Sequence, residues 1–406
     1  MSNAMASTLI TFALLAVATT GSMATEPIAD DDPGKRSNVY IDDTAELSQS
    51  GWKAMISNAF PHKVQASGRW FDPAPIPRPF AVADEMKLFS DEMRARLRDN
   101  STDGLIVIKD GVIVQQYFRF GFEIDDIHQI HSTGKAFTSF ALQPIYDRIG
   151  PDGLSLPLKH YLPKLDGKHF GEATLAQALD MQVGMEWTEN YEDPNSATML
   201  SGPVGGWDPL DPEKGPESWY ERMFDFPKYG EHGKTWMYNN ASVVAASFAG
   251  AAIANRTFSD LVQASYDALG FEDRSWYTAN LFNELSAEGG QALSIRDHAK
   301  LGRFMLETTG SAYVKDVWNV VADRNDPADA EFLATYGEYF GSDGYKNYWY
   351  SLGPDKILAL GSSGLFLYVD RANNLVISKF SSYVQGQGAE EFAEGFAIIK
   401  EIANSF

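Results

Sequence analysis

The 406-residue chain contains no cysteine. That absence removes disulfides, thiolate nucleophiles and cysteine-ligated metals together. Positive charge is scarce as well. Lys and Arg number 33 against 55 Asp and Glu, a formal net charge of −22, which argues against a nucleic-acid partner or an anionic membrane surface, since both need a basic footprint. Long apolar runs are missing too. Beyond the N-terminal region no segment reaches the ~18 apolar residues of a membrane span, so no membrane contact is expected once a leader is removed. The G-x-S-x-G elbow, the H-E-x-x-H zinc pattern and the P-loop do not occur.

What the chain does contain is an ordinary globular composition, with 44% apolar and 13% aromatic residues, enough for a substantial core. Met1-Ser2-Asn3-Ala4 before a second Met5 reads as an expression-vector remnant. Leu9 to Thr19 is apolar but too short to span a bilayer, and Ser22-Met23-Ala24 ends it in a small-x-small pattern. Residues 1–24 are therefore expected to be remnant and signal peptide, with cleavage before Thr25 and a periplasmic or secreted destination. No Lys or Arg lies between Met5 and the apolar run, a departure from the usual leader. Residues 25–79 read as linker and N-terminal extension, acidic at Asp30-Asp31-Asp32 and extended from Pro73 to Pro79.

Residues 80–406 are expected to form the catalytic domain. Helical periodicity runs from Ala83 to Asp99. The strand-like runs Gly104–Lys109 and Val112–Phe118 meet at Asp110-Gly111, a strong hairpin signal. A helix is predicted from Ser132 to Arg148, ending near Gly150, and another from Ser294 to Thr308 with Ser294 as N-cap. Residues 155–290 read as mostly helical, with loops around Pro194 to Pro216. Short strands follow at Tyr345–Leu352, Ile357–Leu360, Gly364–Asp370 and Leu375–Ser381, then an amphipathic helix over 388–406. Strands at both ends of a helical middle predict an α+β fold: one antiparallel sheet built from both chain ends and flanked by helices (about 80–150 and 289–406), with an all-helical lobe inserted (about 151–288).

Three groups of residues carry candidate chemistry. Ser132-Thr133-Gly134-Lys135 fits S-x-x-K at a helix start, where residues three apart share a face and Lys135 can reach the Ser132 hydroxyl. Helix N-terminal N–H groups favour a developing oxyanion, and desolvation lowers the proton affinity of a lysine held there. An N-capping serine beside an exposed lysine explains the tetrapeptide equally well. Tyr238-Asn239-Asn240 is the second group. A phenol next to a cationic lysine can be partly ionised and can pass a proton to a leaving group, and Asn240 can donate to the lysine or to a substrate carbonyl. The plain alternative is a turn before a buried helix. Gly361-Ser362-Ser363-Gly364 is the third. Glycine inside a strand calls for a reason such as close approach of a ligand, and a strand N–H there can supply an oxyanion donor; a bulge or hairpin turn is the plain alternative.

Taken together, the order and spacing of these groups resemble the serine β-lactamase and penicillin-binding-protein superfamily. Tyr-x-Asn in second place is similar to its class C β-lactamase branch. Within it, Met181–Pro194, Trp236–Asn240, Gly361–Asp370 and Ser378–Ser382 resemble the 6-aminohexanoate-dimer hydrolases and their carboxylesterase relatives. The resemblance implies a β-lactamase/transpeptidase-like fold. It makes Ser132 the acylated nucleophile, Lys135 its base, Tyr238 the acid for the leaving group, and the N–H groups of Ser132 and Ser362 the oxyanion hole. It places Asn240, Gly361, Ser363 and Tyr191 at the substrate, Tyr191 as a lid over the bound amide.

One departure matters. β-lactamases and penicillin-binding proteins carry Lys-Thr-Gly on the third element, and here Ala359-Leu360-Gly361 stands in its place. An apolar pair cannot bind a substrate carboxylate through charged hydrogen bonds. The expected activity is a small-molecule esterase or amidase needing no metal or organic cofactor. The rivals are a D-amino-acid peptidase or weak β-lactamase on cell-wall fragments, and a catalytically silent binding protein. His128 and His131 lack a third ligand at suitable spacing and are expected beside the site rather than in a metal centre. Trp207, Trp219, Trp236 and the aromatics of 345–350 are expected in the core and cleft wall. Oligomeric state is left open.

Overall fold

Asp110 and Gly111 have φ of 53° and 80°, the paired positive values that a two-residue type I′ hairpin requires. The computed structural model of the chain describes residues 67–119, 121–191, 193–208, 218–222, 226–383 and 388–406, with the backbone of 36–37. The expected signal peptide, most of the linker and much of the loop before Pro216 lie outside the described residues.

The strands are β1 (Arg36–Ser37), β2 (Gly68–Phe71), β3 (Ala81–Val82), β4 (Thr102–Lys109), β5 (Val112–Phe118), β6 (Ile127–Gln129), β7 (Ser275–Thr278), β8 (Gln291–Ser294), β9 (Gly344–Lys346), β10 (Trp349–Ser351), β11 (Lys356–Gly361), β12 (Leu365–Asp370) and β13 (Leu375–Ser381). The main sheet runs β3-β5-β4-β13-β12-β11-β10-β9. It is built from both chain ends and antiparallel throughout, apart from β3, which joins its edge parallel to β5. Every residue of β12 and β13 is buried, because helices cover both faces and leave a continuous apolar run instead of alternation. Helix α1 (Asp91–Asp99) and the C-terminal helix Ala389–Ala403 cover one face. There Phe366 meets Phe392 at 6.0 Å between ring centroids. On the other face lies Ile295–Glu307, where a Cβ on Gly302 would stand 2.6 Å from Val376.

Sequence periodicity misplaced some elements. The helix expected from Ala83 starts at Asp91, capped by Ser90, because the preceding backbone is claimed by the sheet: Ala83 N–H donates to Ile113 O and Lys87 N–H to Val114 O. The run from Tyr345 to Leu352 is a hairpin, split where Asn347 and Tyr348 turn with φ of 51° and 67°. A second sheet, β1-β2-β7-β8-β6, was not expected. Its strands β7 and β8 interrupt a stretch predicted to be helical and helix-opening. Ser294 does cap the helix that follows, accepting from Asp297 N–H.

The helix predicted from Ser132 is broken into a 3₁₀ turn (His131–Thr133), α2 (Gly134–Ala141) and α3 (Gln143–Leu154), the last kinked at Gly150. The helical middle packs around α4 (Asn240–Ala254), whose residues are buried from Asn240 through Ala251. A helix apolar on all sides belongs in a core.

Candidate active site

Ser132 sits where β6 gives way to α2. Ile130 N–H donates to Gln291 O at 2.9 Å, ending the β6–β8 ladder, and His131 turns the chain with φ of 42°. Thr133 closes the turn, its Oγ1 donating to Ile130 O at 2.7 Å. Behind it, the His298 ring spans from Thr133 Oγ1 (3.0 Å) to Ser378 Oγ on β13 (2.8 Å). Burial pushes His298 down to about 3, so the ring is neutral and ties the turn to the sheet as one donor and one acceptor.

Across one helical turn, Lys135 Nζ lies 2.9 Å from Ser132 Oγ and 2.9 Å from Glu288 O. It also stands 4.8 Å from the centroid of the Tyr238 ring. Lys135 is 2% exposed. Desolvation pulls its ammonium down to about 8, against the opposing charges of Glu189 and Glu288. The alternative of a capping serine beside an exposed lysine does not hold.

Tyr238 arrives on an extended stretch just ahead of α4. Met237 N–H donates to Met181 O at 2.9 Å, and Asn239 caps α4 by accepting from Ser242 N–H at 2.7 Å. Burial pushes the Tyr238 phenol well above its ordinary range, with a hydrogen bond to Ser132 opposing the shift. The expectation of partial ionisation is therefore corrected: this phenol keeps its proton. Asn240 does not reach the lysine. Its Nδ2 donates to Thr198 Oγ1 at 3.3 Å, and its Oδ1 is buried without a partner.

The third group lies in the turn joining β11 to β12. A Cβ on Gly361 would stand 2.9 Å from Ile130 O, 3.0 Å from Thr133 N and 3.2 Å from Ser132 N. Glycine is required here by the chain's own backbone rather than by a ligand, as the sequence reading had it. The same close approach sets Ser362 beside Ser132 at the cleft wall. Ser363, with φ of 65°, is buried in the turn; its carbonyl accepts from Tyr383 N–H, and it does not line the cleft.

The cleft encloses about 300 Å³, with Ser132, Tyr238, Gly361 and Ser362 at one side. Leu360, Tyr336, Tyr350 and Phe392 make an apolar and aromatic wall, and Glu189 is the one ionisable carboxylate in the lining among the described residues. Among the described residues no Lys, Arg or His lines it. Glu189 is held by Trp187 Nε1–H at 2.7 Å and by Tyr191 O–H at 2.8 Å. Tyr191, 45% exposed, reaches the site through that carboxylate.

The other expected residues fall around this centre. His131 stacks on Trp207 at 6.1 Å, neutral because burial pushes it down to about 3. His128 bonds Asp103 within the fold at 3.1 Å. Trp219 and Trp236 are buried, and Trp236 packs against Tyr238 at 6.4 Å. Sequence reading missed Glu189, Glu288 and Tyr336. Glu189 lay inside a stretch already singled out, and Glu288 directly precedes the Gly289-Gly290 pair. Nothing in their spacing marks them, because each reaches the site through a loop or a π-helical turn (Leu333–Gly337).

Comparison with known proteins agrees with this fold. The beta-lactamase family model matches residues 91–397. A 6-aminohexanoate-dimer hydrolase of Paenarthrobacter ureafaciens is 26% identical over 330 residues, covering 77% of this chain and 80% of that protein. Among solved structures, a Bacillus anthracis protein named as a 6-aminohexanoate-dimer hydrolase superposes with a TM-score of 0.74 at 20% identity, covering 91% of this chain and 98% of that one. A Yersinia pestis β-lactamase/D-alanine carboxypeptidase gives 0.56 at 15% identity over 76% and 95%. Both structural likenesses speak for the fold.

Proposed function

The chain belongs to the beta-lactamase family of hydrolases, and from that premise we propose that it cleaves small esters or amides through an acyl-serine intermediate. The observation that carries this reading is the 2.9 Å contact from Lys135 Nζ to Ser132 Oγ, made by an amine whose burial brings it to about 8. Near neutral and alkaline pH a useful fraction of that amine is a free base.

In the proposed sequence, Ser132 Oγ attacks the carbonyl carbon and its proton passes to Lys135 Nζ. Charge gathers on the carbonyl oxygen, where the N–H groups of Ser132 and Ser362 receive it. The Tyr238 phenol gives its proton to the departing alcohol or amine, and the proton taken up by Lys135 restores it, the amine lying over the Tyr238 ring. Water then attacks the acyl group along the reverse proton path, restoring Ser132. Asn240 and Ser363 act as supports, since their side chains lie away from the cleft. Tyr191 enters through Glu189.

The lining, free of cations among the described residues, favours a substrate without a carboxylate near the scissile bond, because Leu360 offers nothing to pair with one. This is the physical ground for an esterase or amidase over a β-lactamase or D-amino-acid peptidase. The test is a panel of short-chain chromogenic esters, an aminohexanoate-type amide and a cephalosporin, run beside Ser132→Ala. Turnover of the ester or amide, abolished in the variant, is expected. Cephalosporin hydrolysis above ester hydrolysis overturns the substrate assignment.

A further inference from the structure

Glu288 lies behind the Ser132–Lys135 pair and is 5% exposed. Its main-chain carbonyl accepts from Lys135 Nζ at 2.9 Å. Trp207 Nε1–H donates to its carboxyl Oε1 at 3.0 Å, and the Ser286 hydroxyl, 2.8 Å from the same oxygen, shares its one proton between that oxygen and Gly205 O at 2.9 Å, while buried Oε2 has no partner. Fold stability alone gives no reason for this. A buried carboxyl oxygen without a donor is costly, and an apolar residue would avoid the cost.

We propose that Glu288 is the counter-charge and positioning residue of Lys135, holding the amine through its carbonyl and keeping it basic through its buried carboxylate. The inference rests on the acyl-serine reading above and adds to it the element that sets the strength of the base.

The physical need is specific. Full desolvation of an unopposed lysine removes several pH units of proton affinity. An amine weakened that far is neutral but takes the serine proton poorly, since proton transfer loses driving force as the base weakens. The groups facing Lys135 are Ser132 on its own turn, the Tyr238 phenol, Glu189 from the cleft wall and Glu288 from the segment before β8. Of these only the two glutamates can carry negative charge. Glu189 borders the cleft, where water screens it, whereas Glu288 is sealed. The carboxyl of Glu288 in turn faces Lys135, Trp207, Ser286 and the protonated phenols of Tyr238 and Tyr277, with neutral His131 stacked on Trp207. Burial raises the Glu288 carboxyl and Lys135 lowers it, as a mutually dependent pair requires.

The deciding experiment is the pH profile of kcat/KM for an activated ester, with fluorophosphonate labelling of Ser132 followed alongside. In Glu288→Gln the carboxamide oxygen still accepts from Trp207 and Ser286, and the charge is gone. Its acid limb is expected about one pH unit below that of the wild type or lower, with a several-fold lower plateau. Glu288→Asp, which keeps the charge, is expected to bring the limb back toward the wild-type position. A Glu288→Gln limb coincident with the wild type overturns the proposal, whatever the plateau does, because a merely structural residue lowers the plateau without moving the limb. If Glu288→Gln does not fold, Glu288→Asn is read in its place with the same expected shift. Wild-type protein that takes no label at Ser132 instead refutes the acyl-serine reading, and the role given to Glu288 falls with it.

Discussion

Gly361 and Ser132 come from opposite ends of the chain, and a Cβ on the first would stand 3.2 Å from the backbone nitrogen of the second. The two proposed oxyanion donors, Ser132 N–H and Ser362 N–H, need neighbouring backbones, and this contact sets those backbones side by side. The atoms in the way are backbone, which cannot swing aside as a side chain can. Gly361→Ala is therefore expected to lower kcat on the order of 10²–10³-fold, the worth of one oxyanion donor, and to destabilise the fold by about 1–3 kcal/mol through overpacking. Steady-state kinetics and urea unfolding on the same protein check both halves.

Lys135 titrates near 8 and acts as a base only when neutral. The sign follows directly: below that pH the amine is charged and idle, so kcat/KM rises with pH toward about 8 and levels above it. Lys135→Arg keeps a charge at all accessible pH and is expected to lose activity without alkaline recovery. A pH–rate profile of both proteins decides the matter.

Tyr238 keeps its proton because burial pushes its phenol upward. Removing the hydroxyl should matter in proportion to how badly the leaving group needs a proton. Tyr238→Phe is expected to slow amide and alkyl-ester hydrolysis ~10²–10⁴-fold and nitrophenyl-ester hydrolysis far less. Equal losses across that series would remove the acid role from Tyr238.

His298 is neutral in the fold, held at about 3 against an ordinary 6.5. A lowered histidine contributes stability that is present above pH 6.5 and lost as pH falls toward 3, because the unfolded chain takes up the proton first. His131 behaves alike. His298→Gln is expected to cost about 1–3 kcal/mol at pH 7.5 through the hydroxyls of Thr133 and Ser378. Between pH 6.5 and 5 it should then lose roughly 2 kcal/mol less stability than the wild type, as read from urea midpoints at the two pH values.

The amino-acid sequence alone determined the elements whose signals are local. Asp110-Gly111 specified its hairpin because few residues accept two successive positive φ values. Ser294 announced its helix because a capping oxygen has one place to be. Ser132 and Lys135 were legible for the same reason, since three residues on a helix fix their separation whatever surrounds them. Tertiary structure decided the rest. Residues 83–90 carry a helical pattern, yet the N–H groups of Ala83 and Lys87 go to β5. Gly361 is a glycine because a turn 230 residues earlier in the chain, at Ile130–Thr133, leaves no room for a side chain. Lys135 becomes a base, Tyr238 stays an acid and Glu288 lies sealed behind them only once the fold has brought the three together and stripped most of their water. Proton affinity depends on what surrounds a group in space, and that is the property a one-dimensional pattern does not carry.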